Sequence, residues 1–198
     1  QIRMYEEIHC GDAMALLHGP AVTSIAVGKS VGVAPDANVY YIASTLGTWD
    51  GKGNFTQDLS WLAKCIDRIV EVNRLLPEDG KIRVISISLG VGSQKWNGSE
   101  KAFASIEAAK EEGIYTVYVQ PDLYVGLNRE PLKNPDDFSS YGKVPWIDYK
   151  TNDALLMVPM DSRSVAGPTG DSDYVFYREG GGSWTVPYIA GLYALACQ

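Results

Sequence analysis

Cysteine and histidine are scarce in this chain, with three of one and two of the other in 198 residues. Cys10, Cys65 and Cys197 lie far apart, and no CxxC pair occurs. That pattern excludes a disulfide framework and a zinc knuckle, and inert buried thiols are the expectation. Positive charge is also in short supply: the formal net charge is -7. No basic stripe interleaved with aromatics occurs, which argues against nucleic acid or an anionic membrane as partner. No apolar run reaches membrane-spanning length, so no membrane span is expected. The first residues lack the pattern of a signal peptide. Position 1 is Gln rather than Met, which points to a processed or trimmed chain. The compartment stays open between secreted and cytoplasmic, with a soluble chain expected either way. Gly90-Val91-Gly92-Ser93-Gln94-Lys95 is neither a Walker A sequence nor a dinucleotide fingerprint, so a phosphate loop is lacking.

What is present is a regular alternation. Hydrophobic residues make up 45% of the chain, enough for one sizeable core and a single domain over residues 1–198. Residues 1–17 show no clear period, and His9, isolated there, reads as structural. His18-Gly19-Pro20 opens a helix that Gly28 ends. Asn38 to Ala43 is β-branched and aromatic, a strand. Gly47 to Gly53 reads as a polar loop. Leu59, Leu62, Ile66, Ile69, Val72 and Leu76 recur at helical steps. A strand follows over Ile82–Ser88, then a helix over Ser99–Gly113 with Ser99 as N-cap and Gly113 as the stop. Ile114–Val119 is a third strand.

The remainder is more broken. Gln120 to Asp153 reads as loop, with prolines at 121, 131, 135 and 145. Leu155–Val158 and Tyr174–Tyr177 are strands, and Asp161 to Gly170 between them is a turn-rich loop. Strands alternating with helices of ten or more residues indicate an α/β fold, a doubly wound and mostly parallel sheet flanked by helices. Ligands in such sheets bind beyond the carboxyl ends of strands.

The C-terminal stretch Gly180-Gly181-Gly182-Ser183-Trp184-Thr185-Val186-Pro187 stands out. The glycines are expected to take dihedrals closed to other residues and to leave room for another chain. A helix should start near Ser183, with Pro187 in its first turn, and run buried to Cys197. Ser183 would then face the positive end of the dipole and several free N–H groups, where an oxyanion can be held. Taken alone, Ser183 reads as a helix cap. A G-x-S-x-G elbow fails because position 185 is Thr.

Four motifs in register change that reading. His18-Gly19-Pro20-Ala21-Val22 is similar to the H-G-T-x-V histidine motif of the subtilisin-like serine peptidases, or subtilases. Gly32-Val33-Ala34-Pro35-Asp36-Ala37 resembles that family's G-V-A-P-x-A turn, and Ile87-Ser88-Leu89-Gly90 its S-L-G substrate-binding edge. The Ser183 stretch resembles G-T-S-x-A-x-P-x-V-A-G, keeping Gly181, Ser183, Pro187, Ala190 and Gly191. The resemblance covers nearly the whole chain, in family order. It implies a subtilisin-like fold and a serine endopeptidase acting on polypeptide substrates, with Ser183 as nucleophile and His18 as base. The backbone of Ser88, Leu89 and Gly90 would pair with an extended substrate. No metal or other cofactor is implied by ligands in the sequence; calcium often stabilises the family, but no ligand loop can be assigned.

The resemblance also marks three departures. The family's catalytic Asp belongs to a strand well upstream of the histidine, and no such motif precedes His18; Asp12, six residues before it, is a poor substitute. The oxyanion Asn of an A-G-N-x-G turn aligns with Asp122, with Pro121 in place of Gly. An ionised carboxylate there would repel an oxyanion, and it could donate only when protonated. As a plain turn, Pro121-Asp122 is equally well explained. Trp184 and Tyr188 replace residues usually smaller or different beside the serine, so that Trp184 either crowds the cleft or packs under it. Three readings stand: a serine endopeptidase, a pseudopeptidase that binds a peptide or protein without cutting it, and a flavodoxin-like nucleotide-binding module.

Overall fold

The computed structural model describes residues 2–10, 17–91, 96–120, 123–143, 156–170 and 172–198. The α/β reading holds: helices and strands alternate, and strand pairs β1–β2 and β7–β9, defined below, run parallel. The chain divides into two compact units, 1–16 with 37–85 and 90–116, and 17–36 with 86–89 and 117–198.

In the first unit, β1 (Ile2–Glu7) pairs in parallel with β2 (Val39–Ala43). The absence of a clear period over residues 1–17 thus conceals a strand. The reason is Glu6, a carboxylate at a half-buried position, where a 3.0 Å ion pair with Arg68 offsets its desolvation. The expected loop at Gly47–Gly53 is corrected too: β3 (Gly47–Trp49) and β4 (Phe55–Gln57) form a short antiparallel hairpin, its turn held by Asp50 accepting from the N–H groups of Lys52 and Asn54. Helix α2 (Ser60–Leu75) buries Leu62, Ile66 and Ile69 of the predicted stripe against α3 (Ser99–Glu111), and Val70 is buried in place of Val72, which is half-buried. Each fully buried Leu or Ile contributes roughly 1.5–3 kcal/mol. Small residues Ala102 and Ala109 face that contact, both wholly buried. Gly98, not Ser99, is the N-cap of α3; Ser99 is the first helical residue, and its hydroxyl donates to the Trp96 carbonyl at 2.8 Å. Gly113 does close the helix: its N–H reaches the Lys110 carbonyl and that of Ile114 the Ala109 carbonyl, the paired bonds of a Schellman end. His9 is structural, as expected, stacked on Trp61 at 3.7 Å with Nε2 2.9 Å from the Gly47 carbonyl.

Strands β5 (Val84–Ile87) and β6 (Tyr115–Tyr118) pair with each other, their first residues counted in the first unit and their last in the second. The second unit opens with α1 (His18–Val27). Two expectations of loop fail here. The segment after Gln120 contains β7 (Tyr124–Arg129) and β8 (Tyr141–Lys143), and the turn-rich segment after Asp161 contains β10 (Arg163–Ala166). The prolines that signalled loop flank these strands instead of interrupting them, and Tyr124, Val125 and Leu127 supply buried strand residues. β7 pairs in parallel with β9 (Leu156–Pro159) and antiparallel with β8; β10 pairs antiparallel with β11 (Tyr174–Tyr177).

Helix α4 (Gly182–Ala196) packs on α1. The close approach falls at Gly191, where a Cβ would lie 2.7 Å from Val33 Cβ and 3.1 Å from the Ala26 carbonyl oxygen. Ala21, Ile25, Val165 and Trp184 form the core there. Buried Ser24 ties α1 to β10: its hydroxyl donates to the Ala21 carbonyl and accepts from the Ala166 N–H at 2.9 Å. Only the first two-thirds of α4 are buried; Leu192 and Leu195 face solvent, as does Cys197, so the expectation of buried thiols fails for that residue. Cys10 and Cys65 are half-buried, and that burial pushes the Cys65 thiol up to about 11.

Candidate active site

Four of the expected site residues lie in the second unit: His18, Ser88, Leu89 and Ser183. His18 is the first residue of α1 and Ser183 the second of α4. Packing of these two helices brings their N-terminal ends into one neighbourhood, and Trp184 joins them. Its indole stacks on the His18 imidazole, 6.1 Å between centroids at 13°, and meets Tyr177 edge-on at 5.5 Å. Trp184 is 8% exposed and belongs to the core cluster with Ala21, Ile25 and Val165. One face of His18 remains open to solvent, while burial of the rest holds its pKa below the ordinary histidine value. That favours neutral imidazole, the form able to accept a proton.

The glycines entering α4 act differently from expectation. Gly181 lies at φ 179, an extended conformation open to any residue, and none of Gly180, Gly181 and Gly182 takes the left-handed conformation that favours glycine. Close approach is the reason for Gly180 and Gly182, whereas a Cβ on Gly181 would meet open space. A Cβ on Gly180 would strike the Met160 carbonyl and the Trp184 ring, and one on Gly182 would come within 3.0 Å of Val119. Asp161, which the sequence did not single out, accepts from the Gly180 N–H at 2.6 Å and fixes this entry. Burial raises the Asp161 pKa, while the bond from Gly180 opposes that rise.

Ser183 does not cap the helix. Its hydroxyl donates to the Ser88 carbonyl at 3.2 Å, and the Ser88 hydroxyl donates to the Ser183 carbonyl at 3.0 Å. Pro187 explains the second bond. It is the sixth residue of α4, so it stands in the second turn rather than the first. Proline has no N–H to give to the carbonyl four residues back, which is that of Ser183. Ser88, in the loop just after β5, fills the gap. Among the described residues, no hydrogen bond joins Ser183 to His18.

At the Ser88–Gly90 edge, the Leu89 carbonyl accepts from the Val119 N–H at 3.1 Å. Gly90 follows in the chain and belongs to the first unit; a Cβ there would meet open space. Asp122 and Asp12 both fall outside the described residues. Among the described residues no group of three or more His, Cys, Asp and Glu side chains is arranged to hold a metal, and no helix is long and apolar enough to cross a membrane.

The comparisons agree with this scaffold. The family profile described as the Subtilase family matches residues 13–120, more than half of the chain. No curated protein matches. Among solved structures, the prenylagaramide maturation protease PagA superposes with a TM-score of 0.57 at 18% identity, covering 96% of this chain and 67% of that one. Sphericase gives 0.59 at 18% identity, covering 89% and 62%. The PatG macrocyclase in complex with peptide gives 0.53 at 17% identity, covering 90% and 52%. The chain thus spans from about half to two-thirds of the length of these structures, and at such identities the likeness is one of fold. The profile match and the shared α/β scaffold together establish that this chain belongs to the subtilase family and has the subtilisin-like serine protease fold.

Proposed function

We propose that the protein is a serine endopeptidase with Ser183 as nucleophile and His18 as general base. The observation that carries this is the packing of α1 on α4, which holds the His18 ring against Trp184, the residue next to Ser183. In the reaction, His18 takes the Ser183 hydroxyl proton as Oγ attacks the peptide carbonyl carbon. The tetrahedral oxyanion forms near the first turn of α4, where helical N–H groups lack intrahelical acceptors; Ser183 N–H is one donor. The C–N bond then breaks, the amine leaves with the proton from His18, and water hydrolyses the acyl-enzyme by the same path. The Ser183 hydroxyl must first leave the Ser88 carbonyl. An extended substrate pairing with the backbone of residues 88–90 offers an N–H to that carbonyl and frees the hydroxyl to turn toward His18. The orienting carboxylate comes from outside the described residues, and Asp122, at the oxyanion position, acts only if protonated.

A second reading, a peptide-binding member of the same fold that does not cut, is favoured by the bond from Ser183 to Ser88 in place of one to His18. Fluorophosphonate labelling of the full-length protein separates the two. Labelling at Ser183, abolished in Ser183→Ala, is the expected result; a folded protein that takes no label selects the silent reading.

A further inference from the structure

We propose that a recess in the second unit, walled by Arg129 on β7 and Arg163 on β10, binds a small tetrahedral oxyanion of the phosphate or sulfate type. The cavity has a volume of about 400 Å³, and Ser164 and Tyr188 share its wall. Arg163 lies with its guanidinium carbon 4.4 Å from the centre of the Tyr188 ring. Its Nη2 donates to the Pro159 carbonyl at 2.9 Å, and its Nε is buried with no hydrogen-bond partner. Arg129 gives Nη2 to the Ser162 carbonyl at 2.8 Å and Nη1 to the Lys133 carbonyl. Among the described residues, neither guanidinium is paired with a carboxylate.

The charges make this arrangement unusual. Burial opposes the charge on Arg163, and the neighbouring Arg129 cation adds to that opposition. A lysine in such a place can shed its proton; an arginine cannot, so the charge must be met by an anion or by the ring beneath it. The ring is present but leaves donors over. Two carboxylates also line the recess, yet neither answers the arginines. Asp161 accepts from the Gly180 N–H, and among the described residues neither Asp161 nor Asp136, in the loop between β7 and β8, forms an ion pair with Arg129 or Arg163. Two guanidiniums that line one recess with Ser164, and that no carboxylate pairs among the described residues, match in charge and geometry the acceptor oxygens of a tetrahedral anion. The recess is walled also by Ile25 of α1, and Tyr188 belongs to α4, so its occupant would brace both helices. The inference does not depend on the chemistry of Ser183.

Thermal unfolding of the full-length protein tests it, in sodium phosphate, sulfate, acetate and chloride at matched pH and ionic strength. Phosphate and sulfate are expected to raise Tm saturably, by roughly 2–8 °C when the site is filled, above chloride and acetate. Arg163→Gln and Arg129→Gln should each remove most of that rise. Broadening of the 31P resonance of inorganic phosphate by the unaltered protein, lost on adding excess sulfate, is expected too, and it decides the matter should a variant fail to fold. Equal Tm in phosphate and chloride with no 31P broadening overturns the proposal. So does stabilisation by acetate as strong as by phosphate, or a rise that survives in both variants.

Discussion

Ser88 and Ser183 exchange hydrogen bonds in both directions, each hydroxyl donating to the other's carbonyl, at 3.0 and 3.2 Å. Because Pro187 cannot serve the Ser183 carbonyl, Ser88→Ala should cost about 1–3 kcal/mol, the usual cost of a polar group left unsatisfied. In a Pro187→Ala background an N–H returns to position 187, and the same Ser88→Ala change should cost less, with a coupling of about 0.5–3 kcal/mol. Urea unfolding of the four proteins measures this. Costs that simply add would show that Ser88 and Pro187 are independent.

His18 has a pKa below the ordinary histidine value because part of it is buried. Neutral imidazole should therefore persist to lower pH than in a free histidine, and labelling of Ser183 should hold its rate to correspondingly lower pH. The sign for stability follows. As pH falls through the ordinary histidine range, the unfolded chain takes the proton first, so stability present above that range declines below it. An NMR titration of the imidazole C–H signals reads the value directly, with only His9 to distinguish from it. An ordinary or raised pKa would contradict the packing against Trp184.

Gly191→Ala places a methyl 2.7 Å from Val33 Cβ, within the α1–α4 contact. Overpacking of this kind should cost about 1–3 kcal/mol. Val33→Ala should recover part of the loss, which a shift in urea midpoint would detect. If Gly191→Ala leaves the midpoint unchanged, the two helices do not approach as described.

Ser24→Ala removes the acceptor of the Ala166 N–H and should destabilise by about 1–3 kcal/mol. Ser24→Thr keeps the oxygen and should lose less. Hydrogen exchange at Ala166 is the direct measurement: protection there should fall in the Ala variant, and unchanged protection would mean the bond contributes nothing.

Much of the scaffold was legible because its signals are local. The Leu59–Leu76 stripe, the stop at Gly113 and the start at His18 are set by residues within a turn or two of each other. What escaped was decided at a distance. β1 was hidden by Glu6, which makes sense only with Arg68 beside it. β7 and β10 were hidden by flanking prolines and polar residues whose partners lie in other strands. The candidate site divides the same way. His18 and Ser183 were readable from motifs, whereas Asp161 was not, because its role is a single bond to a backbone N–H 19 residues away. The role of Gly180 and Gly182 is not legible in the run itself, because Met160, Trp184 and Val119, which crowd them, cannot be inferred from it.

The unit that holds His18 and Ser183 is built from the early segment 17–36 and the late segment 117–198, joined by the short piece 86–89. During synthesis the histidine leaves the ribosome long before the serine does. α1 has no α4 to lie against until residues 182–196 emerge, and until then the Ser88 hydroxyl has no Ser183 carbonyl to receive it. Whatever reactivity the pair possesses therefore waits until the segment that carries Ser183 has been made, more than 160 residues after His18.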